Sequence, residues 1–162
     1  MNRFITLTLI FGFLAGSVLP SAFAADYAHL KLYTTRGSFD DIRQDVEIAI
    51  AGRGLVVDHI SHISAMLERT GKGLAPSGDI FKKAESLQFC SGTVSRSMMQ
   101  TDSSNIVFCP YSIVVYSLPT DPEKVYVGYR RPELVGSEAS KASLKEVEDL
   151  IDGIIKEALN LK

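Results

Sequence analysis

Ile113-Val114-Val115-Tyr116-Ser117-Leu118 and Val125-Tyr126-Val127-Gly128-Tyr129, joined through Pro119-Thr120-Asp121-Pro122-Glu123, decide the fold. Both runs are rich in β-branched and aromatic residues, which suit a pleated, half-buried surface. The Pro/Thr/Asp chemistry between them reverses the chain, so the segment predicts an antiparallel hairpin with a five-residue connection. A strand presents successive residues to opposite faces. Val125, Val127 and Tyr129 therefore fall on one side of the second strand, and Tyr126, Gly128 and Arg130 on the other. Tyr116 is expected to meet Tyr126 across the pair.

Downstream, Leu144, Val147, Ile151, Ile154, Ile155 and Ala158 recur at helical spacing, and Ser143 with Glu146 has the form of a capping box, predicting a closing helix. Upstream, His29–Thr35 alternates as a strand and ends at Arg36-Gly37. Ser38 then caps a helix whose Phe39, Ile42, Val46, Ala49 and Ile50 share one face until Gly52 and Gly54. Leu55–Ile60 reads as a strand, Ser64–Thr70 as a short helix, and Gly71–Asp79 as the longest loop. Glu85–Cys90 reads as a strand, Gly92–Gln100 as a helix, and a further strand is expected from Asn105. Hairpin-linked strands among loosely alternating helices predict an α+β fold, a single domain with a mainly antiparallel sheet and helices packed on one face.

The amino terminus has the pattern of a secretory leader. Arg3 is followed by the uncharged apolar run Phe4–Ala15, by Gly16 and Pro20 as breakers, and by small residues at Ala22 and Ala24. Residues 1–24 are expected to be removed before Ala25, leaving a domain over 25–162 in the periplasm with no stable membrane insertion. The full chain of 162 residues carries 17 Lys+Arg against 19 Asp+Glu, a net charge of −2. Without a cationic cluster to displace counterions from a phosphate backbone, nucleic acid is excluded as a partner.

Gly37-Ser38-Phe39-Asp40-Asp41, Ala51–Val57, Leu87-Gln88-Phe89-Cys90 and Ile106-Val107-Phe108-Cys109-Pro110-Tyr111 through Tyr116 occur here in the order seen in one family. The chain resembles the domain-of-unknown-function 302 family from about Leu30 to Leu159. The resemblance implies a small α+β domain that pairs as a homodimer, and it implies no reaction. It also matches Cys90 to a family cysteine. Many relatives carry their second cysteine directly after the proline, where this chain has Tyr111; Cys109 stands before Pro110 instead.

Two cysteines in an exported chain suggest a disulfide, because the periplasm is oxidising. If the strand ending at Cys90 and a strand ending at Cys109 form a right-handed crossover, both sulfurs sit at the carboxyl ends of parallel neighbours. One long strand from Asn105 to Leu118, bent at Pro110, sets Cys109 in mid-sheet instead. A structural bridge, two buried thiols and a reactive or ligand-binding pair all remain open. His59 and His62 have metal-like spacing, but residues three apart on a strand face opposite ways, so no metal site is expected. Gly71-Lys72-Gly73 lacks the form of a phosphate loop, and no nucleophile elbow or zinc-protease helix is present.

Tyr111, Tyr116, Tyr126 and Arg130 form the candidate ligand surface, with a hollow over Gly128 suited to an anionic or aromatic small molecule. These readings favour a soluble periplasmic accessory domain that binds a small ligand or protein partner, with no catalytic residues and no cofactor. The alternative is a thiol/disulfide redox or metal/haem-binding protein working through Cys90 and Cys109.

Overall fold

The structure, a computed structural model, describes residues 23–71 and 79–161. In chain order it comprises β1 (Phe23–Asp26), β2 (Leu30–Arg36), α1 (Phe39–Gly52), β3 (Val57–His62), α2 (Ile63–Gly71), β4 (Lys83–Phe89), α3 (Gly92–Thr101), a 3-10 segment (Ser103–Phe108), β5 (Tyr111–Leu118), β6 (Asp121–Arg130) and α4 (Glu138–Ala158). The strands form one six-stranded sheet in the order β1-β2-β6-β5-β4-β3. Every neighbouring pair is antiparallel. The expected α+β class, with its helices packed against a mainly antiparallel sheet, is what the chain adopts.

The β5/β6 hairpin is central, and its alternation is as the sequence predicts. Tyr111, Ile113, Val115, Val125, Val127 and Tyr129 are buried on one face. They share a single core with Val46, Ala49 and Ile50 of α1 and with Leu144, Val147, Ile151, Ile154 and Ile155 of α4. Each fully buried aliphatic side chain of this set contributes about 2 kcal/mol. Ser38 caps α1 by accepting from the Asp41 amide at 3.5 Å.

Three local expectations are corrected. The hairpin connection is two residues, Pro119 and Thr120, because Leu118 already pairs with Asp121 across a bulge. Pro122 is accommodated inside β6 because pairing with β2 starts only at Lys124, so its missing N–H interrupts no ladder there. No strand begins at Asn105. That segment is a 3-10 turn, in which Asn105, 1% exposed, donates to the Met98 carbonyl and to Ser140 Oγ. The closing helix starts at Glu138 with Ser137 as its cap, while Ser143 is buried in its second turn and donates to the Ser140 carbonyl. The expected leader and the long loop fall largely on residues 1–22 and 72–78, outside the described residues. Phe23 and Ala24, the last two leader residues in the sequence reading, are the first half of β1, opposite Thr34 and Tyr33 of β2.

A charged cluster fastens α4 to the β2/β6 end of the sheet. Asp152, on the sheet-facing side of α4, accepts from Tyr33 at 2.5 Å and from Tyr129 at 3.2 Å. It is also paired with Lys31 at 2.8 Å and Lys156 at 2.9 Å. Burial pushes its carboxyl up, but the hydrogen bonds from Lys31, Tyr33 and Lys156 outweigh that and hold it well below the usual carboxylate range. Burial pushes both phenols far up, and the neighbouring carboxylate adds to the effect.

These shifts fix a pH profile. The stability tied to the Asp152 charge is complete above the unfolded carboxylate pKa near ~4 and is lost as pH falls further. That tied to the neutral phenols is complete below about pH 10 and is lost as pH rises further. Thermal melts should therefore show a plateau between about pH 5 and 9 with a fall on both sides. Asp152→Asn should cost about 3 kcal/mol on the plateau and make the acid limb shallower. An acid limb of unchanged steepness in that variant would show that the cluster does not contribute.

Candidate functional site

The antiparallel register of β4 and β5 brings the two cysteines together. Phe89 pairs with Tyr111, so the residues just beyond, Cys90 after β4 and Cys109 before β5, are neighbours at the same end of the sheet. They form a disulfide with Cα atoms 6.5 Å apart, closing a separation of 19 residues that holds α3 and the 3-10 segment. Neither arrangement left open by the sequence, the parallel crossover or one long strand bent at Pro110, is adopted. In antiparallel neighbours the carboxyl end of one strand lies beside the amino end of the next, and the intervening helical segment bulges out and returns. The Cys109-Pro110 peptide is cis. Ser95 of α3 lies 3.9 Å from the Cys109 sulfur and hydrogen-bonds the buried Tyr111 hydroxyl at 2.8 Å.

The candidate ligand residues separate into two places. Tyr116 and Tyr126 stack on the sheet face turned away from α1 and α4, with centroids 4.7 Å apart and planes 4° apart. Phe81 meets Tyr116 edge-on and the Lys124 ammonium lies over Tyr126. The space over Gly128 is filled rather than hollow: a Cβ there would lie 2.7 Å from the Lys31 carbonyl and 2.8 Å from Leu32 Cδ1. Glycine at this position lets β2 approach closely. Tyr111 points the other way, into the core, and is 2% exposed. It is not part of the Tyr116–Tyr126 surface.

Tyr111 and Arg130 meet instead at the opposite end of the hairpin, in a cleft beside the disulfide. Its volume is about 280 Å³. Val107 and Phe108 of the 3-10 segment line it together with Arg130 and Pro132, over a floor of the buried Tyr111, Val147 and Ile151. Arg131 completes the lining together with Pro110 and Ser112. Arg131 is neutralised by Asp26 and by Glu148, the latter at 3.5 Å, although its Nε is buried without a hydrogen-bond partner among the described residues. Arg130 is exposed and, among the described residues, carries no ion pair. A second hollow of about 500 Å³ shares Arg130, Arg131 and Pro132 and continues along His29, Glu133, Leu134, Val135 and Glu148. Val107, Leu134 and Val135 leave apolar surface exposed around this rim.

The sequence singles out Tyr111 and Arg130 of this lining, but for a surface shared with Tyr116 and Tyr126, and it does not connect Val107, Phe108, Pro132, Val147 and Ile151 with one another. Those residues come from three distant segments, and no local pattern joins them. His59 and His62 sit opposite Gln88 and Glu85 on the two sheet faces, with His62 Nδ1 2.9 Å from Glu85 Oε1. Among the described residues no group of three or more His, Cys, Asp or Glu is placed to hold a metal ion.

The disulfide has a measurable consequence. Loop closure over this separation is worth roughly 3 kcal/mol in the unfolded chain. Reduction, or Cys90→Ser with Cys109→Ser, should therefore lower the melting temperature by about 10 °C. Slow alkylation of the reduced pair at neutral pH is expected with it. Unchanged melting together with fast alkylation would mark an exchange pair instead of a staple.

Comparison with known proteins gives a consistent result. No curated protein matches the chain. A crystal structure of an uncharacterized conserved DUF302 protein from Bacillus stearothermophilus superposes with a TM-score of 0.68 at 15% identity, covering 82% of this chain and 99% of that one. At that identity the likeness shows the fold. The family model described as domain of unknown function DUF302 matches residues 31–158, from the second residue of β2 to the last residue of α4, and the chain accordingly belongs to the DUF302 family.

Proposed function

We propose that this chain is a soluble periplasmic accessory domain that binds a small ligand in the cleft beside the disulfide and performs no chemistry on it. The observation that carries the reading is the combination of apolar walls, Val107, Phe108 and Pro132, with an Arg130 that has no ion-pair partner among the described residues. Such a pairing of apolar surface with a few polar groups is the usual composition of a small-molecule site. The Cys90–Cys109 bridge suits an oxidising compartment. A leader cut before Ala25 leaves Ala25 and Asp26 in place opposite Leu32 and Lys31, so β2 keeps part of its neighbour. Edman sequencing of the exported protein should begin at Ala25, and a retained Met1 on a membrane-bound product would overturn the periplasmic assignment.

For assembly, the homodimer suggested by the family resemblance is best placed on the sheet face away from α1 and α4. Leu30, Leu32, Val114, Tyr116 and Tyr126 are each half-buried there, and a flat apolar sheet face is a surface that a second copy can cover. Methyl-labelled NMR tests both assignments in one sample. A panel of small aliphatic and aromatic fragments at millimolar concentration should shift the Val107, Val147 and Ile151 methyls, and dilution should shift those of Leu32 and Val114. Fragments that leave the first set unmoved would remove the ligand reading, and dilution that leaves the second unmoved would remove the dimer.

A further inference from the structure

We infer that the ligand of the cleft is a small apolar monocarboxylate, its carboxylate held by Arg130 and its hydrocarbon body laid against Val107, Phe108 and Pro132. This rests on the cleft being a binding site and goes beyond it by fixing the ligand's class.

The charge distribution carries the assignment. The smaller hollow is lined by Arg130 and Arg131 and by no acidic side chain. Arg131 is already compensated by Asp26 and Glu148, which leaves one uncompensated cation, Arg130. A single guanidinium calls for a single anionic group, and its planar fork matches a carboxylate. The adjoining hollow shares both arginines, but there Glu133 and Glu148 balance them, so it offers no net positive charge to a second anionic group. A ligand with one charged end and an uncharged body therefore fits the smaller hollow, whereas a dicarboxylate does not.

The walls specify the body. Val107 is 78% exposed, an unusual position for a β-branched aliphatic, and it lines the same hollow as the buried Pro132. Hydrocarbon laid against Val107 would cover surface that now faces water. A volume near 280 Å³ lies at the small end of the range for ligand sites, so the body is a short chain or a single ring rather than a long acyl tail. The wall is also held in place: Phe108 and Pro110, which both line the hollow, flank Cys109, whose sulfur is bonded to Cys90.

Octanoate, octanol and octylamine share a chain and differ in the head group, so they test the class directly. With the oxidised full domain, octanoate should shift the Val107, Val147 and Ile151 methyls with a dissociation constant about tenfold below that of octanol, and octylamine should bind more weakly still. Arg130→Gln lies on the surface and should melt like the wild type while making octanoate and octanol equal. Octanol binding as tightly as octanoate, with Arg130→Gln indifferent, would overturn the carboxylate assignment and leave the cleft as a site for neutral ligands. If none of the three probes moves those methyls, the inference and the binding reading on which it rests both fall.

Discussion

The period-two alternation of β5 is the constraint on which the rest of the molecule depends. β5 is paired on both edges, with β4 and β6, so it cannot slip by one residue without turning Tyr111, Ile113 and Val115 out of the core. With that register fixed, α1 and α4 bury their stripes on the sheet face that carries Tyr111, Ile113 and Val115. The same register decides two remote details. It sets Tyr116 opposite Tyr126, where they stack on the face turned away from α1 and α4, and it sets Phe89 opposite Tyr111, which brings Cys90 and Cys109 within bonding reach.

The sequence made legible those parts of the fold whose signals are local and apolar. Val125, Val127 and Tyr129 alternate with Tyr126 and Gly128 without interruption, and the α1 stripe runs from its Ser38 cap to Gly52 unbroken. What it concealed were polar residues doing core work. Ser140 is 0% exposed and Ser143 4% exposed, and both face inward. Ser140 accepts from Asn105 and Ser143 hydrogen-bonds Thr101, so their hydroxyls are satisfied by residues more than thirty positions away. A reader of the stripe sees serine and ends the helix there. The structure continues it for another turn, because buried polar groups are tolerated when their partners are supplied by another segment.

The misplaced strand at Asn105 has the same origin. Ile106, Val107 and Phe108 look like the start of an apolar strand, yet Ile106 is 58% exposed and Val107 78% exposed. The residue that anchors the segment is the polar one, Asn105, tied to the α3 carboxyl end and to α4. Apolar pattern alone assigns the interior to the wrong residues here. Of the two exposed residues, Val107 lines the cleft and Ile106 does not.

Site and staple are parts of one construction. The 3-10 segment contributes the wall residues Val107 and Phe108, and it is fixed at one end by Asn105 and at the other by the bond from Cys109 to Cys90. The floor, Tyr111, Val147 and Ile151, belongs to the main core and is rigid for that reason. Arg130 and Pro132 join the lining where β6 leaves the sheet, and Arg131 between them is tied to β1 through Asp26 and to α4 through Glu148. Every wall is thus anchored to a different long-range contact, so the cleft is assembled only once the whole domain has folded. Its separate segments are individually silent in the sequence. Arg130 stands out in the sequence only for a hollow over Gly128 that the close approach of β2 fills, whereas the apolar residues that line the cleft with it are brought together only by the register that sets three distant stretches of chain at one end of β5.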